Sequence, residues 1–290
     1  MAFPLTDEPL APPASTAGPS RTDELELQLL LDALRRGFEH DYGDYGHALL
    51  RRRVGERMRA ERVSTITQLL DRVLHDDGAR EKLILQLGGG RRALFGEPSF
   101  FRAFRSHVIP LLQTYAFVRI WLPAMGTGED AYAMACLLHD AGLLGRCVVY
   151  ATAAADELVA RARRGTFPIS SVTAFEASMQ AAGIERPAGD FAQLRATRVT
   201  FDEEIRRSVM FARHDVARDA SINEFHAIVV RGAIPLYNGE AQYRVHRLLY
   251  DSLARFGFLC LGGGESIAGT VHEGGYRKVV DDQAIYRRMR

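Results

Sequence analysis

The chain has 290 residues, 47% of them apolar and 25% charged, which is ordinary for a globular protein with an ample core. Thirty-seven basic residues stand against 36 acidic ones, and a net charge of +1 excludes a global field that would draw the chain to nucleic acid or to a membrane surface. No run of about 18 apolar residues offers a membrane span, and the three cysteines (Cys136, Cys147, Cys260) lack the CxxC spacing of a zinc site or disulfide framework.

Reduced, structural thiols of this kind fit a cytoplasmic protein. Residues 1–22 hold five of the eleven prolines, without the apolar centre of a signal peptide, and read as a disordered tail. From 23 to 87 the pattern is helical. Asp23 with Glu26 resembles a capping pair, followed by Leu27, Leu30, Leu31, Leu34 and Phe38 on one face. A second helix, within 47–62, carries Leu50, Val54 and Met58 on one side. Arg51, Arg52, Arg53, Arg57, Arg59 and Arg62 fill much of the rest. Ser64 opens a third helix through Leu74, and a fourth covers about 79–87. This all-helical unit is large enough to be a small independent domain. Residues 88–97, beginning GGGRR, form a linker.

From 98 to 290 strands alternate with helices. Strands are expected at Val118–Leu122, Arg146–Ala151, Val209–Ala212, Phe225–Val230 and Phe256–Leu261, with helices at 128–143 and 238–255. That alternation predicts an α/β domain with a mostly parallel sheet. A stretch from about 165 to 198, rich in Ala, Gly and Pro, reads as an irregular insertion or lid.

Ligands in such sheets sit beyond the carboxyl ends of the strands. The first strand-to-helix turn, RIWLPAMGTGEDAYAMA, places Gly126 and Gly128 where the backbone can approach a ligand, and a helix N-terminus follows. A tight turn that needs glycine is the plainer alternative. The second strand should end in an acid that grips ribose hydroxyls, but its tip is Thr152-Ala153-Ala154-Ala155. Asp156 and Glu157 lie about a turn into the next helix, where complementing the helix dipole is a sufficient role.

Six blocks in order resemble the CheR-type chemotaxis receptor methyltransferases. FEHDYGDYGHALLRRRVGERM looks like that family's basic N-terminal helix, and ALFGEPSFF is similar to its FFRDPxxF. VRIWLPAMGTGEDAYAMA resembles RIWxAGCSTGEEPYSLA, and VYATAAADELVARARRGTFPI resembles IYATDIxxxxLxxAxxGxY. FARHDVARDASINEFHAIVVRGAIPLYN looks like FxxHNLLxDxxxxxFDxIxCRNVLIYF, and FGFLCLGGGESI like GGYLxLGHSESL. The resemblance spans about residues 25–289. It implies a class I methyltransferase (Rossmann-like) sheet behind a small all-helical N-terminal domain. It also implies S-adenosylmethionine as cofactor and transfer of its methyl group to receptor glutamates, a reaction that rests mostly on positioning.

The departures gather where that family holds its cofactor. Its NxT segment is Gly90-x-Arg92 here, and the Arg of FFR is Gly96. The ATD acid is Ala153, and the Asn of HNLL is Asp215, followed by Val216. The Asn of CRN is Gly232, and Ile-Tyr is Pro235-Leu236, with Tyr237 one place late. Gly126 stands in the first turn, where Thr127, Gly128 and Glu129 survive, as does Arg231; Glu129 is the residue that would hold the cofactor's amino group. Losing several polar contacts together should carry affinity beyond useful range, since each charge-assisted hydrogen bond contributes about 1.5–3 kcal/mol. The expectation is a methyltransferase homologue with weak or no catalysis that acts by protein contacts in signal transduction. The alternative is an active protein-glutamate O-methyltransferase whose cofactor is held by rerouted contacts from Glu129, Asp215 and Asp156.

The arginine-rich helix reads either as a solvated face neutralised by Glu56 and Glu61 or as a docking face for an acidic receptor or signalling protein. Nucleic acid is a poorer fit, because aromatic interleaving is absent. GGGRR is either a hinge or, through its amides with Arg91 and Arg92, a cup for an anion. His214 and His226 lack ligand-spaced partners, so no metal site is expected.

Overall fold

The computed structural model describes residues 20–89 and 92–290. Four helices open the chain: α1 (Arg21–Phe38), α2 (His47–Glu61), α3 (Ile66–His75) and α4 (Asp77–Leu87). The start of α1 is set by Ser20, whose hydroxyl accepts from the Asp23 amide while the Asp23 carboxylate accepts from the Ser20 amide. That reciprocal cap replaces the expected Asp23–Glu26 pair and brings residues 20–22 out of the tail and into the helix. The third helix is likewise capped by Thr65, not Ser64.

Leu27, Leu30 and Leu34 of α1 are fully buried with Leu69 and Val73 of α3 and Leu83 and Leu87 of α4. These residues do not close a core of their own. They run continuously into Trp121, Ile228, Val230, Leu259 and Leu261 on one face of the sheet. The helical unit is therefore packed as a layer on the α/β domain.

After the linker come α5 (Pro98–Ala103) and α6 (Ile109–Leu112), joined by a π-helical turn at Phe104–Val108. Pro110 explains that turn, because it has no amide to give to the carbonyl four residues earlier. The remaining elements are β1 (Val118–Leu122), α7 (Glu129–Asp140), β2 (Cys147–Ala153), α8 (Asp156–Arg163), β3 (Thr166–Pro168), α9 (Val172–Ala181), β4 (Ala192–Arg195), β5 (Arg198–Phe201), α10 (Glu203–Arg207), β6 (Val209–Arg213), β7 (Phe225–Val230), α11 (Gly239–Ser252), β8 (Leu253–Leu261), β9 (Tyr276–Lys278) and β10 (Ile285–Arg288).

The main sheet has the order β6-β2-β1-β7-β8-β10-β9. Its first five strands are parallel, and β10 runs antiparallel to both β8 and β9. Ile120 lies opposite both Val149 and Ala227, so the centre of β1 is apolar on both sides, as a sheet covered on both faces requires. This is the expected Rossmann-like class I methyltransferase architecture. The chain leaves β1 towards β2 on one side and reaches β7 on the other, so the crevice between their carboxyl ends is the topological switch point.

The 165–198 stretch is not irregular. It contributes β3, α9, β4 and β5, and the three strands form a small antiparallel sheet of order β3-β5-β4. Phe167, Val199 and Phe201 are buried, and Phe201 stacks on Tyr132 of α7 at 4.7 Å. The small sheet is thus part of the main core. Phe201→Ala should lower stability by about 3–5 kcal/mol, and urea denaturation should remain one cooperative transition; a separate early transition would mark the insertion as an independent lid.

Candidate functional site

At the switch point two arginines meet one buried carboxylate. Asp130, on the first turn of α7, receives Arg231 Nη1 at 2.6 Å from the end of β7 and Arg92 Nε at 3.3 Å from the linker. Arg231 also donates to Glu97 at 2.9 Å and to the Gly96 carbonyl, and its guanidinium lies over Phe100 and Phe101 at 4.7 and 4.9 Å. Burial pushes the Asp130 carboxyl above its ordinary value, and both guanidiniums oppose that rise. Burial also opposes ionisation of Glu97, but the hydrogen bond from Arg231 holds that carboxyl below the usual range.

Arg92 does more than balance charge. Its Nη1 donates to the Arg231 carbonyl at 2.7 Å and stands directly beside Gly232. A β-carbon built on Gly232, whose φ is +67°, would be 2.5 Å from that nitrogen. The guanidinium therefore fills the space a side chain at 232 would need. Earlier in the linker, Gly89 (φ +139°) packs so closely that its β-carbon would lie 3.3 Å from the Gly126 Cα. Gly89, Arg92, Leu122, Gly126, Gly232 and Leu236 help to enclose what is left of the crevice, a cavity of about 20 Å³. That is room for about one water molecule.

The other end of the crevice is open. A cavity of about 440 Å³ is lined by Tyr42 and Tyr45 before α2, Ala154 and Ala155 after β2, and Arg213 at the end of β6 with Asp215 beyond it. Gly88 borders this cavity and Gly89 the closed one, so the linker divides them. Asp215 accepts from the Ala217 amide at 3.0 Å, and burial raises its carboxyl. Ala153 is buried at the tip of β2, where its carbonyl accepts from the His214 amide. It offers no polar group to a ribose.

The remaining expected residues are dispersed. Thr127 Oγ1 donates to Glu129 Oε2 at 2.6 Å, both buried, while Gly128 makes way for Ala162 of α8. Of Gly126, Thr127, Gly128 and Glu129, only Gly126 lines the closed cavity, beside Pro123, Ala124 and Met125 of the same turn; Thr127 borders a separate groove of about 680 Å³ that also takes in Arg52, Lys82, Arg161 and Arg164. Val216 is core rather than pocket. Gly90, with Arg91, lies outside the described residues.

The basic helix is not a free basic face. Arg53 is buried and donates to the Leu87 carbonyl at 2.5 Å. Arg51 is paired with Glu24 and Arg57 with Glu61, whereas Arg52 and Arg59 remain exposed. His214 Nε2 lies 2.9 Å from the Ala220 carbonyl, and His226 Nδ1 accepts from the Arg119 amide. Among the described residues no group of three His, Cys, Asp or Glu side chains is placed to hold a metal, and no helix is long and apolar enough to cross a membrane. Burial pushes the Cys147 thiol up to about 12.

Two family models cover this architecture: the CheR methyltransferase all-alpha domain over residues 25–87 and the CheR methyltransferase SAM-binding domain over 92–280. The chain belongs to the CheR methyltransferase family. It is 31% identical to the Pseudomonas putida protein Cher3, which bears a methyltransferase name, over 92% of this chain and 98% of that one. A chemotaxis protein methyltransferase of Listeria innocua is 26% identical over 60% of this chain and 64% of its own. Among solved structures, the plantazolicin methyltransferase BpumL in complex with SAH aligns over 73% of this chain and 61% of its own, at 13% identity and a TM-score of 0.36.

Set beside the CheR segments, Ala124 takes φ +48° where the family's AGC has glycine, a strained substitution in the turn itself. Three residues that carry the site were not singled out from sequence: Asp130, Glu97 and Glu265. The Glu265 carboxylate accepts from the amides of Gly232, Ala233, Ile234 and Gly262, at 2.8 to 3.0 Å. It fixes the backbone after β7 and with it the seat of Arg92. Its position in the ESI/ESL block was legible, but its role depends on a backbone turn that spacing does not reveal. Glu265→Ala should strand these amides and lower stability by about 3 kcal/mol or more, with Glu265→Gln keeping part of it; chemical denaturation measures both.

Proposed function

We propose that this CheR-family chain has little or no methyltransferase activity and works through protein contacts in a chemotaxis-type signalling pathway in the cytoplasm. One observation carries the reading: the Arg92 guanidinium lies across Gly232 and leaves about 20 Å³ between β1 and β7. Cofactor pockets hold about 300–1,000 Å³; the neighbouring cavity of about 440 Å³ reaches that size, but the linker separates it from the closed part where the amino-acid end would lie. The side chains present do not fit an extended S-adenosylmethionine: its amino-acid end would meet Arg92 and the linker, and its ribose would meet Ala153.

The charge pattern supports a partner role. The groove of about 680 Å³ between α2, α4 and α8 continues past Arg161 and Arg164 into one of about 740 Å³ bordered by Arg198 and Arg206. An acidic surface, such as that of a receptor or signalling protein, complements it. In this reading Arg52 and Lys82 contribute docking charge from the helical layer, while Arg51, Arg53 and Arg57 support the fold.

Calorimetric titration with S-adenosylhomocysteine tests the closed crevice. The wild type should show no binding in the micromolar range. Gly232→Asn alone should not help, because the new side chain meets Arg92. Arg92→Thr with Gly232→Asn and Ala153→Asp should restore measurable affinity, the aspartate alone contributing tenfold or more. Low-micromolar binding by the wild type overturns the reading.

A further inference from the structure

The opposite rim of the sheet carries a second feature, at the amino end of β8. Phe256 has φ +66°, and the CheR segment GGYL has glycine at this place. That backbone region is disfavoured roughly tenfold for a residue with a β-carbon. Space does not force the choice. Gly257 is the crowded position, since its β-carbon would lie 2.9 Å from the Ala254 carbonyl oxygen and 3.0 Å from that of His226. Phe256 nevertheless remains 39% exposed. A strained, exposed aromatic is the kind of outlier that marks a contact site.

Its surroundings are cationic. The guanidinium carbons of Arg255 and Arg287 lie over the Phe256 ring at 4.9 and 5.4 Å, and Arg287 Nε donates to the Phe256 carbonyl at 3.1 Å. Across the antiparallel ladder Arg287 faces Arg277 directly. Like charges opposite one another oppose strand pairing, and among the described residues none of these three arginines has a carboxylate partner. An anion placed here would relieve that repulsion.

The geometry points to a docking surface at the β8–β10–β9 corner, built on Phe256, Arg255, Arg277 and Arg287, for an acidic polypeptide segment bearing an apolar side chain. Charge complementarity calls for the acid, and the exposure of the Phe256 side chain calls for the apolar anchor. A nucleic-acid strand fits less well, because this chain's own guanidiniums already lie over the ring on which a base would stack. The surface lies at the amino ends of the strands, so its occupant does not compete for the crevice at the carboxyl ends.

Hydrogen–deuterium exchange on the full chain, with a glutamate–tyrosine copolymer as probe, tests this. The copolymer should protect 253–258 and 285–288. Its affinity should fall tenfold or more in Arg287→Ala and in both Phe256→Gly and Phe256→Ala. The exposed Arg255→Ala should also weaken binding, and it keeps the test valid should Arg287→Ala loosen the hairpin. The glycine variant should melt above the alanine variant, because only glycine relieves the backbone, yet bind no better. Wild-type affinity in Phe256→Gly overturns the proposal, as does protection confined to the groove between α4 and α8. Stronger protection by oligo(dT) would reassign the surface to nucleic acid, and concentration-dependent protection without probe would reassign it to a second copy; either result overturns the peptide assignment.

Discussion

The buried Asp130 carboxylate, shared by Arg231 and Arg92, decides what the switch point of this sheet can do. Arg231 comes from the end of β7 and Asp130 from the start of α7, so their 2.6 Å contact ties together the two sides of the crevice. A pair so far out of water persists only with good geometry and further hydrogen bonds, and breaking one costs about 3–5 kcal/mol. Arg92 joins this pair from the linker and so carries the linker into the crevice. Glu265 fixes the backbone on which Arg92 rests. The closed cavity follows from these contacts together rather than from any one lost side chain.

The departures from the CheR pattern at this crevice are of two kinds. Read singly, Gly232 and Ala153 are missing hydrogen-bonding groups. In the folded chain they differ. Ala153 is a true omission, a buried apolar tip in a strand otherwise well placed. Gly232 is one half of an exchange, because the volume its side chain would occupy is filled by Arg92. A fold that keeps the Thr127–Glu129 hydrogen bond and the whole parallel sheet while Arg92 fills part of the crevice has retained its scaffold, and on the proposed reading it has altered its ligand chemistry.

The main sheet was legible because its strands are short apolar runs between amphipathic helices. β1 and β7 fall where expected, and β2, β6 and β8 differ by a few residues at their ends. The inserted sheet was not legible, because β3, β4 and β5 have only three or four residues each, too few for alternation to register. The hairpin of β9 and β10 escaped for the same reason. Arg53 looked like surface charge since composition cannot tell a solvated arginine from one that caps a neighbouring helix. Asp130 was hidden differently: its partners are 38 and 101 residues away along the chain, and only the crossover at the switch point brings them together.

The most direct test of the closed crevice is a crystal structure of the wild-type chain grown with saturating S-adenosylhomocysteine. Arg92 should remain on the Arg231 carbonyl and beside Asp130, with no homocysteine density between β1 and β7. An ordered homocysteine group lying against Glu129, with Arg92 displaced, would contradict a closed crevice.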